Sequence, residues 1–233
     1  WLISGLKTSP YESSQTDKDQ IRYEQYLRTE GIDGDLKRPP KDIRLGEKGC
    51  GDCLWEYYYR RNHWFVDLSN TCPGPTKLEA YGATVLEAEE DLDLEAVLWT
   101  YPAIQLWVND QLACLVENAV YKPMAKRPVT LHLKKGKNLI FVRMQTVGVR
   151  DSRNMFGLQI KGEPDGKVRT ALPDEDAAAP VVLAERWLEE ISRKESRLNF
   201  NREPEFEAWF QYKRDGRLIQ EKITEKERKF KAD

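Results

Sequence analysis

Residues 104–116 read IQLWVNDQLACLV, and this stretch decides the fold class. Apolar side chains at 104, 106 and 108 alternate with a Gln and a Trp, which is the period of a strand buried on one face. The pair Asn109-Asp110 then supplies residues that tolerate positive φ, and an apolar run resumes at 112–116. The stretch therefore predicts a tight β-hairpin.

Runs with a similar apolar pattern lie on both sides of this hairpin. They span residues 55–59, 78–88, 129–133, 139–144 and 156–160. No helical period separates these runs, so they predict antiparallel strands and not a parallel sheet with crossover helices. The predicted fold class is all-β, as an antiparallel sandwich or barrel that closes near Gly162.

The flanking segments have a different composition. Residues 1–54 are mostly polar and broken by Gly and Pro, which predicts a loop-rich lead packed on a sandwich domain at 55–163. Beyond it, residues 164–233 are expected to form a linker, a helix with Pro180 in its first turn, and a hairpin around Asp215-Gly216. That helix carries an apolar face and is expected to dock on the sandwich or on a following domain. Because the hairpin cannot form a core alone, we expect it to be the edge of a missing domain or a strand pair packed on the sandwich. The helix face consists of Leu183, Trp187, Leu188 and Ile191.

Composition excludes several classes of protein. The 233 residues include 37 Lys plus Arg and 39 Asp plus Glu, a net charge of −2 that argues against a nucleic-acid binder. Mean hydropathy is −0.70 and no long apolar run occurs, so no membrane span is expected. The chain opens on Trp1 without a signal-peptide pattern, and we expect a piece of a longer protein.

The cysteines allow one metal hypothesis. Cys50 and Cys53, followed by His63 and Cys72, would supply three thiolates and one imidazole for a zinc ion. The spacing matches no familiar zinc finger, and a redox Cys-x-x-Cys would open a helix in a βαβ setting that the pattern lacks. The favoured interpretation is therefore loop and edge thiols, with Cys114 as a small buried side chain.

Catalytic signals are weak. The sequence contains neither a Gly-x-Ser-x-Gly elbow nor a Gly-rich phosphate loop. His132 lies between Leu131 and Leu133 in a predicted strand, so its side chain is expected to point outward. The acidic cluster at 87–93 is expected to be solvated, and no catalytic pair of carboxylates is nominated.

Aromatic residues give the first binding hypothesis. The chain has 7 Trp and 10 Tyr, and several lie in or beside predicted loops. A flat ring stacks on the apolar C–H face of a sugar, while polar neighbours bind its hydroxyl groups. Trp64 and Tyr121 are the candidate stacking platforms. The alternative is that these rings fill the interior of the sandwich.

A polar segment gives the second binding hypothesis. Residues 148–154 read GVRDSRN between two strongly apolar strands and are expected to form a loop at the rim. Its candidate ligand contacts are Arg150, Asp151, Arg153 and Asn154. The alternative is an Arg-Asp network that only fixes the loop.

Four motifs resemble one known family. They are WxxYxR at 55–60, LWVND at 106–110, YKP at 121–123 and VxLxLKKGKNxIxVR at 129–143. Together they resemble the galactose-binding-like jelly-roll domain, a sugar-binding module found beside the catalytic barrel of family 2-type glycoside hydrolases. The resemblance covers about 55–161 and implies a jelly-roll β-sandwich whose partners are a carbohydrate and a catalytic domain of the same polypeptide.

The chain departs from the family pattern at three places. Asp110 stands where the family usually has Gly, an acidic insertion occupies 87–95, and a long polar lead precedes Trp55. No catalytic residue is carried over, because in the family those residues belong to a separate domain. We therefore expect a non-catalytic module of a larger carbohydrate-active enzyme that assists glycan binding or shapes a neighbouring active site. No cofactor is expected, with structural calcium or zinc left open. The alternatives are an interaction module that docks another domain, and an enzyme with two convergent carboxylates.

Overall fold

The computed structural model describes residues 1–11, 37–58, 64–120, 123–162, 166–197, 208–214 and 217–223. Most of these residues lie in antiparallel strands, which confirms the all-β prediction. Residues 1–184 and 185–233 form two compact units. The elements are β1 Leu2–Pro10, β2 Trp55–Tyr57, β3 Val66–Asp67, β4 Asn70–Ala88, β5 Leu92–Thr100, β6 Ala103–Val108, β7 Gln111–Val116, β8 Ala125–Leu133, β9 Gly136–Ser152, β10 Met155–Ile160, β11 Val168–Ala171, α1 Glu175–Arg197, β12 Ala208–Arg214 and β13 Arg217–Ile223.

Two sheets make up the sandwich. The large sheet has the order β2-β1-β4-β9-β6-β7, and β11 pairs with β4 at 85–88, past the part of β4 that pairs with β1. The small sheet has the order β3-β10-β5-β8. Consecutive strands β8 and β9 belong to different sheets, so the turn between them crosses the end of the sandwich.

The core lies between the inner faces of the two sheets. Leu106 and Val142 of the large sheet belong to one buried cluster with Leu98, Leu131 and Phe156 of the small sheet, and all five are fully buried. Full burial of side chains of this size contributes about 1.5–3 kcal/mol each, so this cluster is the main source of stability.

A second apolar cluster covers the outer face of the large sheet. Ile43 and Trp55, from the described stretch 37–58, pack with Ala83, Trp107 and Phe141. Trp107 is therefore buried even though it alternates with Leu106 along β6. This explains why β6 is buried on both faces.

The predicted hairpin at 104–116 is confirmed. Strands β6 and β7 pair antiparallel, and Asn109 has a φ of 54°, the positive value that the turn requires. The Asn109 side chain also accepts a hydrogen bond from the Leu139 backbone N–H (2.9 Å) and donates one to Asn138 Oδ1 (3.0 Å). The turn residue thus connects β6 and β7 to the start of β9.

Two segments predicted as loop contain strands. Leu2–Pro10 forms strand β1 inside the predicted loop-rich lead, because β2 and β4 pair with its two edges. Residues 148–152 form the end of β9 and not a rim loop, because β4 begins at Asn70 and its residues 70–72 pair with β9 beyond a bulge.

The C-terminal elements follow the predicted order. The helix begins at Glu175, so Pro180 is its sixth residue and lies beyond the first turn. Strands β12 and β13 pair from Ala208 with Ile223 to Arg214 with Arg217, which confirms the second hairpin. Its turn at 215–216 lies outside the described residues.

Candidate functional site

The outer face of the small sheet is open to solvent along β5 and β8. Gly157 of β10, Trp99 of β5 and Lys126 of β8 are register partners and lie side by side across three strands. Lys126 Nζ lies 4.2 Å from the centroid of the Trp99 ring, within the range of a cation–π contact. The Trp99 indole N–H donates a hydrogen bond to Gln159 Oε1 (3.1 Å).

Two further rings extend this row. Trp64 stacks on Phe65 with ring centroids 3.9 Å apart, and its ring meets Trp99 edge-on at 5.8 Å. Trp64 is 40% exposed, a large fraction for a ring of this size. We call Trp64, Phe65 and Trp99 the aromatic platform.

Gly157 allows the platform to form. A Cβ atom at this position would lie 2.6 Å from Trp64 Cζ3 and 2.9 Å from Phe65 Cδ1, closer than real Cβ contacts. The absence of a side chain on β10 therefore lets the two rings lie directly over the strand.

Arg153 lies near the end of the same sheet. Its Nη1 donates a hydrogen bond to Tyr101 Oη (3.3 Å), and its guanidinium carbon is 5.6 Å from the Tyr101 ring centroid. The Tyr101 backbone N–H donates to the Met155 carbonyl (3.0 Å), one position beyond the pairing of β5 with β10. The structure thus brings two predicted site residues, Trp64 and Arg153, to the same end of the small sheet.

The other predicted site residues lie elsewhere. Asn154 is only 2% exposed, and its backbone carbonyl accepts a hydrogen bond from Leu68 (2.8 Å), so it lies beneath the surface. The backbones of Arg150 and Asp151 pair with β4, but their side chains are not among those that the structure describes. Tyr121 lies outside the described residues.

The sheet face continues from the platform into a polar region. Thr130 Oγ1 donates to Glu95 Oε1 (2.7 Å), and His132 Nδ1 lies 2.7 Å from Asp93 Oδ1. The His132 side chain is 64% exposed, as its position in the strand predicts. We call these four residues the polar strip.

The acidic cluster is held by surface ion pairs. Asp91 accepts hydrogen bonds from the Lys135 backbone N–H (2.8 Å) and the Lys134 ammonium (3.0 Å), which hold the pKa of this carboxyl below its usual value. The Lys167 hydrogen bond (2.7 Å) likewise lowers the pKa of Glu90. A general acid needs a raised pKa, so these two carboxyls are not suited to that role.

A separate concavity of about 350 Å³ lies at one end of the sandwich. Its charged lining residues are of both signs, and two polar groups at its wall already bond within the fold. Asp174 Oδ2 accepts a hydrogen bond from the Leu45 backbone N–H (3.1 Å), and Asn109 Oδ1 accepts one from the Leu139 backbone N–H (2.9 Å). The charged lining residues are Lys41, Asp42, Arg44, Lys137 and Asp174.

The cysteines of the zinc hypothesis are free thiols. Cys50 and Cys53 form a turn in which the Cys53 N–H donates to the Cys50 carbonyl (3.1 Å). Ser4 Oγ holds this turn by accepting from the Cys50 N–H (2.8 Å) and donating to the Cys53 carbonyl (2.9 Å). Among the described residues, no group of three or more His, Cys, Asp or Glu is placed to hold a metal ion, and His63 lies outside them.

Native Cys50 is expected to resist alkylation. Burial raises the pKa of its thiol to about 12, so folding keeps it protonated at pH values where an unfolded thiol, with a pKa of about 8.5, begins to ionise. The stability that the neutral thiol contributes is present below that unfolded pKa and is lost as pH rises towards 12. Mass spectrometry after iodoacetamide treatment at pH 8 should find Cys50 unmodified until urea is added. Rapid modification of native Cys50 would contradict this prediction.

Comparison with known proteins gives a partial structural match. No family model and no curated protein matches the chain. It is similar to the crystal structure of a β-glucosidase from Kluyveromyces marxianus in complex with glucose, with a TM-score of 0.31, 16% identity, and coverage of 53% of this chain and 16% of that chain. The selenomethionine-labelled structure of a β-glucosidase from that organism gives a TM-score of 0.31, 17% identity, and coverage of 54% and 16%.

The chain therefore spans about 16% of the length of these glycoside hydrolase chains. Within the described part of the chain, no helix has both the length and the apolar content of a membrane span.

Proposed function

We propose that this chain is a non-catalytic, galactose-binding-like module of a larger carbohydrate-active enzyme of the glycoside hydrolase type, and that it binds a glycan on its aromatic platform. The observation that carries the proposal is the meeting of Trp64, Phe65 and Trp99 on the outer face of the small sheet. Polar groups of Gln159 and Lys126 lie beside these rings.

The cost of exposing the Trp64 ring supports a binding role. Burial of apolar surface is worth about 25 cal/mol per Å², so an exposed Trp gives up stability that a core position would supply. A sugar placed on the platform would recover that contribution by covering the ring with its C–H face. The Gln159 amide lies at the edge of Trp99 and the Lys126 ammonium lies over its ring, so both are close enough to the platform to bind hydroxyl groups of a sugar placed on Trp64.

The motifs behind the family resemblance support the scaffold part of the proposal. Asn109 and Asn138, both in those motifs, bond to each other and hold two turns at one end of the sandwich. These residues therefore stabilise the turns of the sandwich, while the proposed binding site lies on the face of the small sheet. The proposal assigns no catalytic residue to this chain.

Replacement of Trp99 is the direct test. We expect Trp99→Ala to weaken glycan binding by about tenfold or more, because it removes the ring that contacts Trp64, Phe65 and Lys126. The purified chain is first screened on a glycan array, and the best ligand is then titrated by calorimetry against both proteins.

Leu115→Ala serves as a matched control. Leu115 is 37% exposed on β7, the edge strand of the large sheet, so this variant loses an exposed apolar side chain from another surface. It should bind as the wild type does. Binding that survives in Trp99→Ala, or an array on which the wild-type chain binds no glycan, would contradict the proposal.

One observation favours a second function, the docking of another domain. Leu183 on α1 is 65% exposed. It belongs to the apolar helix face that the sequence predicts, and an apolar stripe along a helix packs against a neighbour. The array separates the two functions, because a module that only docks a domain would bind no glycan.

A further inference from the structure

The open face is longer than the platform. Along β5 the outward residues after Trp99 are Val97, Glu95 and Asp93, and their register partners on β8 are Pro128, Thr130 and His132. The six-residue step from Trp99 to Asp93 corresponds to about 20 Å at the rise of a β-strand. The platform and the polar strip therefore form one continuous surface.

The middle of this surface has short side chains on β5 and β8. Val97 lies opposite Pro128 on one side and Gln159 on the other, so a short apolar side chain and a proline ring form the floor between the two ends. An open strip of this length suits an extended chain of several sugar rings. A single sugar would cover only one end of it.

The far end offers hydrogen-bonding groups to sugar hydroxyls. The Glu95–Thr130 and Asp93–His132 contacts hold two carboxylates in place, and the Asp93 side chain is 67% exposed. A carboxylate has roughly four acceptor sites, so one cross-strand bond leaves capacity for a ligand hydroxyl. Two carboxylates on the same strip repel an acidic sugar, and the strip thus favours a neutral one.

We infer, building on the proposed function, that the ligand is an extended neutral oligosaccharide. One of its rings stacks on the aromatic platform, and the following rings run along β5 over the polar strip. The Glu95 and Asp93 carboxylates accept hydrogen bonds from their hydroxyls.

Calorimetry with a series of oligosaccharides tests this inference. Cellobiose and cellotetraose are the neutral probes, because equatorial hydroxyls leave both faces of each glucose ring apolar. Tetragalacturonate is the acidic probe. We expect cellotetraose to bind about tenfold more tightly than cellobiose, and tetragalacturonate to bind more weakly than cellotetraose.

Substitutions on the polar strip test whether it provides the tighter binding of cellotetraose relative to cellobiose. The double variant Asp93→Ala/Glu95→Ala should lose most of the gain for cellotetraose and bind cellobiose unchanged. If the alanine variant does not fold, the isosteric double variant Asp93→Asn/Glu95→Gln is used in its place. Glu90→Ala removes an exposed carboxylate that pairs with Lys167 away from this strip, and it should bind all probes as the wild type does.

The outcomes separate this inference from the proposed function. Equal affinity for cellobiose and cellotetraose, an unchanged double variant, or tighter binding of tetragalacturonate would overturn the inference and leave platform binding intact. Failure of both neutral probes would also overturn it, and the glycan array would then decide the proposed function by itself.

Discussion

Glu79→Ala is expected to lower the free energy of unfolding by about 3–5 kcal/mol. Glu79 accepts a hydrogen bond from Arg143 Nε (2.8 Å), and Arg143 is fully buried between β4 and β6 in the large sheet. Removal of the carboxylate leaves the guanidinium in a low-dielectric site without this counter-charge. The penalty of that buried charge is the reason for the large effect.

Urea denaturation followed by tryptophan fluorescence measures this change. Lys37→Ala is the control, because Lys37 Nζ lies 3.9 Å from Glu79 Oε1 with a side chain that is 49% exposed, and an exposed partner of this kind contributes less than about 1 kcal/mol. The double variant Glu79→Leu/Arg143→Met should recover most of the loss, because it removes both charges. A Glu79→Ala protein as stable as the Lys37→Ala control would refute the buried-pair argument.

Asn138→Ala should cost about 3 kcal/mol of stability. The Asn138 side chain is fully buried, and its Nδ2 donates to the carbonyls of Lys134 (2.6 Å), Gly136 (3.0 Å) and Leu86 (3.3 Å). Its Oδ1 accepts from the Lys134 backbone N–H (2.9 Å) and from Asn109 Nδ2 (3.0 Å). Alanine removes the partner of several buried or part-buried polar groups at once.

Thermal and urea unfolding of Asn138→Ala measure the loss. The matched control is Asn70→Ala, because Asn70 is exposed and its Oδ1 accepts a single local bond from the Thr71 N–H (2.8 Å). That variant should lie within about 1 kcal/mol of the wild type. A loss for Asn138→Ala no larger than for this control would show that the two turns are held by their backbones alone.

The hairpin at 104–116 was predictable because its signals are local. Alternation along each strand and a turn residue that accepts positive φ both act within a few residues. The same signals predicted that Asn109 turns the chain. They did not predict that its amide bonds to Asn138, since that contact joins turns far apart in the sequence.

The burial of Trp107 and the strand at 148–152 were not predictable in this way. Trp107 lies on a face that alternation assigns to solvent, and it is buried because Ile43 and Trp55 cover that face. Residues 148–152 look like a polar loop, and they become a strand because residues 70–72 of β4 supply a partner. In both cases a distant segment satisfies the backbone or covers the side chain.

The candidate site was also predictable only in part. Composition and position identify Trp64 as a candidate stacking ring, because it is an aromatic residue in or beside a predicted loop. The other residues of the site, Trp99, Gly157 and Lys126, come from three strands and meet only through the register of the small sheet. The spacing of these residues along the sequence does not indicate how the strands pair, so it could not predict this register.

The sequence by itself determined that the central segments form an antiparallel sandwich and where the chief hairpin turns, because side-chain alternation and turn propensity depend on neighbouring residues. Tertiary structure alone decided which faces are covered and which rings meet on the open one. Those outcomes depend on pairings between distant strands, where backbone hydrogen bonds fix the register and place Trp64 and Trp99 against each other.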